Sequence, residues 1–281
     1  MRDATGEVRL DGPARRVVAL EWTYAENLLA VGVTPVGVAE KAGYATIGGA
    51  PRMPASVRDV GKRETPDLDV IRALKPDLIV TDRSRPLGRI NALRLIAPVL
   101  VFDPQRPDMS AWEEMRTTFI ELSRAVGRRA QAERVLTRLD QTIDRSRKAL
   151  ADVGWSHTPT VVAISYADRG LPVIRVFART SLAGDLLARL GLQNPWRGRP
   201  EPDGLSTVQV ADLRAVAMAE FLYVPVEGDD IVSGTLAATT EWRDLEFVEA
   251  KRVRALRPRT WFFGGPVSLQ WAAEEIVRAL T

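Results

Sequence analysis

VVALEWTYAENLLAVGVTPVGVAE, residues 17–40, and MPASVRDVGKRETPDLDVIRALKPDLIVTD, residues 53–82, decide the fold class. Short β-rich runs (VVAL, PVGVA, DLIVTD) alternate with helical runs (TYAENLLAVG, DLDVIRAL). Such alternation predicts a parallel α/β sheet. The strand ends carry Glu21-Trp22, then Lys41 to Tyr44, then Asp82 to Arg85, and the loop GKRET lies between Val60 and the next helix. In open α/β sheets ligands bind outside the carboxyl ends of the strands. Here those ends hold aromatics and arginines, with no nucleophile, no Gly-rich phosphate loop and no metal-ligand cluster. The pattern points to binding rather than chemistry.

Outward from this stretch, a helix is expected around Leu87 to Ile96, a strand at VLVFD, and a helix from about Met109 to Val126 stopped by Gly127. Residues 1–127 thus read as an N-terminal α/β lobe. From 128 to 152 the apolar positions Ala132, Val135, Leu136, Leu139, Ile143 and Leu150 keep helical spacing without Gly or Pro. One helix of roughly 35–40 Å is predicted there, long enough to join two lobes or to lie on the surface of one. Residues 153–281 repeat the strand–helix alternation. TVVAIS, LPVIRVF and FLYVPV read as strands, as does Arg254 to Leu256. ARTSLAGDLLARLGL reads as a helix capped by Thr180 or Ser181, and helices are expected at Leu245 to Ala250 and at SLQWAAEEIVRAL. The segment Asn194 to Thr207, with three prolines and two glycines, reads as an irregular loop, either a structural cap or a functional element.

The 281 residues suit two modest domains, and 46% hydrophobic content supports a folded core. The net charge is +3 and the pI 9.4, but the arginines are interleaved with acids rather than clustered. That excludes a nucleic-acid footprint, so no nucleic acid is expected as a partner. Without cysteine there is no disulfide, thiolate zinc site or thiol catalysis. No apolar run is long enough to span a membrane. The polar N-terminus has no apolar h-region, so export would imply a leader already removed. The single histidine, His157 in GWSHTP, reads as an exposed linker residue. What remains is an inventory of aromatics and arginines in predicted loops: Trp22, Tyr44, Arg63, Arg83, Arg85, Trp196, Trp261, Phe262 and Phe263. Aromatic faces with a few fixed guanidinium donors suit a bulky ligand rich in acceptor oxygens. Each residue also has a plainer reading: Trp22 and Trp261 as core, Arg63 as a helix cap or partner of Glu64, Arg83 and Arg85 as solvated side chains.

The strings LEWTYAENLLAVGVTPVGVAEKAGY, DVGKRETPDLDVIRALKPDLIVTD, RLIAPVLVFD, VFARTSLAGDLLARLGLQNPW and LRPRTWFFGGPVSLQWA resemble the class III periplasmic binding proteins of iron–siderophore ABC importers. The branch they are most similar to is the ferrichrome, or hydroxamate, type. The resemblance runs from about Val17 to Leu280. It implies two α/β lobes joined by one long helix, with a ferric siderophore held in a shallow cleft between them. It places Arg63 on the hydroxamate oxygens and Trp261, Phe263 and Tyr44 among the binding residues, beside Trp22. Where the family brings a Tyr after the third strand, this chain has Arg83 and Arg85, and Asp203 stands in place of a Trp. The extra arginines favour a ligand with more negative charge, such as one with carboxylate or citrate arms, so a hydroxamate or mixed hydroxamate/carboxylate siderophore is expected.

The resemblance further implies a non-enzyme with no intrinsic cofactor, iron being carried only within the ferric siderophore. It implies a periplasmic or exported, membrane-anchored monomer that docks on an inner-membrane ABC permease and its ATPase. The acidic docking positions read Asn91 and Ala211, with Asp212 as a substitute in the second lobe. Haem or cobalamin binding on the same fold, a non-transport sensor domain, and an α/β enzyme with a carboxylate or arginine site are the alternatives.

Overall fold

The computed structural model describes residues 2–84 and 88–281, so Arg85 lies outside the described residues. Close contacts divide the chain into two compact units. The first holds residues 1–109, 113–139 and 263–268, and the second holds residues 110–112, 140–262 and 269–281.

The first unit opens with a short hairpin, Arg2–Asp3 (β1) against Gly6–Glu7 (β2). Its main sheet contains Val17–Ala19 (β3), Gly37–Val38 (β4), Arg58–Asp59 (β5), Leu78–Asp82 (β6) and Val99–Phe102 (β7). The order is β5-β4-β3-β6-β7 and every pairing is parallel. Strands β3, β6 and β7 are buried at every residue, as expected for a parallel sheet covered on both faces. Helices Trp22–Ala30 (α1), Lys41–Tyr44 (α2), Leu68–Ala73 (α3), Ile90–Arg94 (α4) and most of Ala111–Ala125 (α5) complete the unit. Asp67 caps α3, its Oδ1 accepting the N–H groups of Asp69 and Val70 at 3.0 Å each. Val18, Leu20, Ile71, Ile79, Leu93 and Val101 form the core.

Arg129–Asp152 (α6) is one unbroken helix of 24 residues. At 1.5 Å per residue it is about 36 Å long. The division into two units falls inside it, after Leu139. Gly127, at φ 67°, supplies the left-handed turn between α5 and α6 that a residue with a Cβ adopts only at a cost.

The second unit has a mixed sheet of Thr160–Asp168 (β8), Leu171–Phe177 (β9), Leu205–Val208 (β10), Glu220–Pro225 (β11) and Val253–Ala255 (β12), in the order β10-β9-β8-β11-β12. Strands β8, β11 and β12 are parallel, and β9 runs against both of its neighbours. Helix Leu182–Arg189 (α7) is capped by Ser181, whose hydroxyl accepts from Gly184 N–H. Two single-turn helices, Thr240–Arg243 (α8) and Glu246–Glu249 (α9), precede the C-terminal Pro266–Leu280 (α10). Phe221 stacks on Phe247 at 5.0 Å, and Trp242 meets both edge-on. Such pairs each add about 0.5–1.5 kcal/mol beyond area burial.

The sequence marks 194–207 as irregular, yet its last three residues enter edge strand β10. Arg175 on β9 holds it there. The guanidinium pairs with Glu201 and Asp203 at 2.9 Å each, while those carboxylates accept from Thr207 and Leu205 N–H.

Glu114 on α5 is nearly surrounded by protein, and the Thr118 hydroxyl donates to it. Burial pushes its pKa up to about 7, the Thr118 bond opposing and Asp103 reinforcing the shift. The folded state therefore holds this proton more tightly than the unfolded chain does. The group's contribution is best at low pH and declines as pH rises from about 4.5 to about 7. Glu114→Gln removes the cost of burying the charge, on the order of 1–3 kcal/mol. Thermal melts should show the variant more stable than the parent at pH 8 and nearly equal to it at pH 4.5. An equal difference at both pH values would contradict the assignment.

Candidate functional site

A sheet whose strands all run one way gathers their carboxyl ends along one edge. In the first unit the chain steps from β3 outward to β4 and β5, then returns to place β6 on the other side of β3. The β3/β6 junction is therefore a topological switch point, the position where α/β sheets receive ligands. Along this edge stand Glu21 and Trp22 after β3, Glu40 to Tyr44 after β4, Gly61 to Arg63 after β5, Asp82 at the end of β6 with Arg83 and Ser84 after it, and Asp103 after β7.

Arg63 is the centre of the arrangement. Its guanidinium lies over the Trp22 ring, 4.2 Å from the centroid. Its Nε donates to Glu40 Oε2 at 2.9 Å, and its Nη1 reaches Glu21 Oε2 at 3.5 Å. Its side chain keeps 19% exposure, so the group reaches solvent from a fixed position. Trp22 is itself wedged. Its Nε1 donates to the Ala39 carbonyl at 3.2 Å, and its ring covers Gly43 so closely that a Cβ there would lie 2.1 Å from the indole. The two glutamates occupy matching places, each two residues beyond a strand in VVALE and VGVAE. That repetition is the signal by which the sequence shows them, and neither is in the aromatic–arginine inventory.

Of the other sequence candidates in this unit, Tyr44 is buried, and its hydroxyl donates to the Pro51 carbonyl at 2.8 Å. Burial, with Glu26 nearby, raises its pKa far above the usual phenol value. Arg83 is well exposed and pairs with Asp103 at 3.2 Å. The sequence leads one to expect Arg63 as a ligand donor, a helix cap or a partner of Glu64, and Arg83 as extra positive charge or a solvated side chain. The structure differs: both are already matched by carboxylates that the parallel sheet brings to the same edge.

Phe263 belongs to this unit through the strip 263–268. Thr23, Glu26 and Asn27 share one face of α1 and meet that strip. The Thr23 hydroxyl donates to the Phe263 carbonyl at 2.7 Å. Glu26, fully buried, accepts from Ser268 N–H at 2.9 Å and from the Ser268 hydroxyl at 2.5 Å. Backbone N–H groups of Gly265 and Val267 also bond to it. The carboxyl thus caps the start of α10, although burial still raises its pKa. Gly264 and Gly265 make this approach possible, since a Cβ on either would collide with Glu26 or Asn27.

In the second unit, Trp261 is half-buried, and Phe262 is buried with its ring 5.3 Å from that of Phe177. Asp203 is committed to Arg175 and to the β10 backbone. Trp196 is a core residue whose Nε1 donates to Ser206. His157 is exposed, with φ 62°. Asn91, Ala211 and Asp212 are exposed, and Asp212 accepts the Gln209 N–H in the cap of a short helix. No group of three His, Cys, Asp or Glu among the described residues is arranged to hold a metal ion.

The periplasmic binding protein family matches residues 17–260, and the chain belongs to that family. The iron(3+)-hydroxamate-binding protein FhuD of Escherichia coli (strain K12) is 28% identical over 256 residues, 90% of this chain and 82% of that one. The Fe(3+) dicitrate-binding periplasmic protein FecB of the same organism is 27% identical over 265 residues, 93% of this chain and 83% of that one. Among solved structures, the siderophore-binding protein FhuD from Vibrio cholerae, bound to Fe3+–Desferal, superposes with a TM-score of 0.84 at 28% identity, covering 95% of this chain and 97% of that one.

Gly43→Ala tests the Trp22 platform. The added methyl cannot fit beneath the indole, so the ring must shift, at a cost of about 1–3 kcal/mol. The expected outcome is a lower Tm together with a red-shifted tryptophan emission. An unchanged melt and spectrum would mean that Trp22 does not lie on Gly43.

Proposed function

We propose that this chain captures a ferric siderophore of the hydroxamate type and delivers it to an ABC importer. The observation that carries the reading is Arg63, held over Trp22 on the carboxyl edge of the first sheet with its charge already matched by Glu21 and Glu40. A ferric trihydroxamate presents an apolar frame and a ring of iron-bound oxygens that accept hydrogen bonds. Its chelating groups satisfy the metal, so the protein's task is to supply donors and aromatic surface. Arg63 supplies the donors, and Trp22 and Phe263 of the same unit supply the surface.

Charge selects among siderophores. A trihydroxamate cancels the three charges of Fe(III) and needs no net positive site. Ferric citrate complexes are anionic and would meet Glu21 and Glu40 as well as Arg63. The similarity to FecB keeps a citrate-type ligand as the second reading. In either case the protein is a carrier, released from its ligand by a permease and an ATPase at the inner membrane, and it works outside that membrane.

Tryptophan-fluorescence titration with ferrichrome, ferrioxamine B, ferric dicitrate and a ferric salt separates these readings. The two hydroxamates should bind most tightly, and the affinity for the neutral ferrichrome should change little between low and high salt. The ferric salt alone should leave no stoichiometric iron after dialysis. A charged-group hydrogen bond is worth about 1.5–3 kcal/mol, so Arg63→Ala should weaken hydroxamate binding by about ten- to a hundredfold with the fold retained. Preference for ferric dicitrate that fades with salt would move the assignment to the citrate class. Failure of every chelate to bind would overturn the proposal.

A further inference from the structure

Glu40 combines a left-handed backbone with a side chain committed to another residue. Its backbone is left-handed, with φ 49° and ψ 49°, a conformation that costs a residue with a Cβ of the order of 1–2 kcal/mol. Its side chain is the partner that fixes Arg63. The backbone part is imposed from both sides. The Glu40 N–H donates to the Gly61 carbonyl at 2.8 Å, and its own carbonyl accepts from Gly43 at 2.9 Å and Tyr44 at 3.3 Å. These bonds turn the chain from β4 into α2 and require nothing of the side chain. Glycine would meet them without strain. The carboxylate performs none of that turning. It points to the Arg63 Nε at 2.9 Å, with the Lys62 ammonium 3.7 Å away on its other oxygen. Strain held at a position whose side chain serves another group is the pattern expected at a functional site.

The guanidinium geometry shows what this achieves. Trp22 covers one face, Glu40 holds the Nε edge, and Glu21 lies by Nη1. Nη2 donates to no protein acceptor among the described residues. The flexible side chain is thus fixed with one edge left open.

We propose that Glu40 is a positioning residue, which aims the open edge of Arg63 at the ligand and accepts backbone strain to do so. This rests on the ferric-siderophore reading above. A simple structural ion pair would instead add to stability and leave binding alone.

The experiment uses the whole protein, with ferrichrome as ligand. Glu40→Gly removes both strain and carboxylate. Glu40→Asn keeps a side chain that tolerates left-handed backbone but is too short to reach Arg63, and Glu40→Gln keeps an acceptor at full length. Glycine and asparagine should leave Tm equal to the parent's or higher, yet raise Kd by about ten- to thirtyfold. Glutamine should recover most of the affinity. In the Arg63→Ala background, Glu40→Gly should add less than about a twofold loss, because both changes disable one unit. The Arg63 Nε–H resonance, sharp and slowly exchanging in the ligand-free parent, should broaden or vanish in the glycine variant.

A Kd within twofold of the parent's in both short variants, with a lowered Tm, would overturn the inference and leave the siderophore reading intact. So would losses that multiply in the double variant. If the parent binds neither ferrichrome nor ferrioxamine B, both the reading and the inference fall.

Discussion

Five parallel strands leave the first unit no choice about where its chemistry can lie. Each strand must be followed by a crossover, so every carboxyl end falls on the same edge. Residues far apart in the chain become neighbours there. Arg63 meets Glu40, 23 positions away, and Glu21, 42 positions away, because β3, β4 and β5 are adjacent and in register. Short strands suffice, because the burial of β3, β6 and β7 on both faces fixes the sheet and the outer pairings follow from it. The edge is a property of the topology, and its composition decides what it can bind.

That composition is nearly neutral rather than basic. Arginine is abundant in this chain, and a string such as TDRSRPLG suggests a cationic rim. The described arginines on the edge are instead answered by carboxylates, Arg63 by Glu21 and Glu40, and Arg83 by Asp103. A matched arginine keeps its donors and its planar shape while losing most of its long-range field. It recognises oxygen by geometry rather than by net charge. A neutral chelate with a dense ring of oxygens is the ligand class for which that distinction matters most.

The sequence and the structure agree where local pattern is sufficient. Period and length mark the strands of both sheets other than β5 and β10, the unbroken run of α6, and the Ser181 cap of α7. Pattern fails where distant residues decide. Strand β10 hides behind Pro200, Pro202 and Gly204 because its stability comes from Arg175, 26 and 28 positions from Glu201 and Asp203. The candidate site divides in the same way. Arg63 and Trp22 stand out by type and by their place after strands, while Glu21 and Glu40 show only in the repeated VVALE and VGVAE placement, and their pairing with Arg63 appears only once the sheet aligns them. Tyr44 stands after a strand as well, but packing against the segment that contains Pro51 turns its hydroxyl inward. Period does not reveal which way a residue in a four-residue helix faces.

Glu26 shows how a buried polar group can specify a contact. A carboxylate removed from water costs several kcal/mol unless hydrogen bonds replace its hydration. Donors from Gly265, Val267 and Ser268 do so here, and they exist only because 264–268 turns into α10 at that point. Any shift of the strip by one residue would leave the carboxyl buried without partners. The strip is therefore held in a single register against α1, and Thr23 fixes its first residue by the Phe263 carbonyl. Trp22 and Thr23 are consecutive, so the helix that carries the ring beneath Arg63 also sets the backbone of Phe263. Two aromatics 241 positions apart in sequence are thus placed by the first turn of one helix. The cost of burying Glu26 is what makes that placement unique.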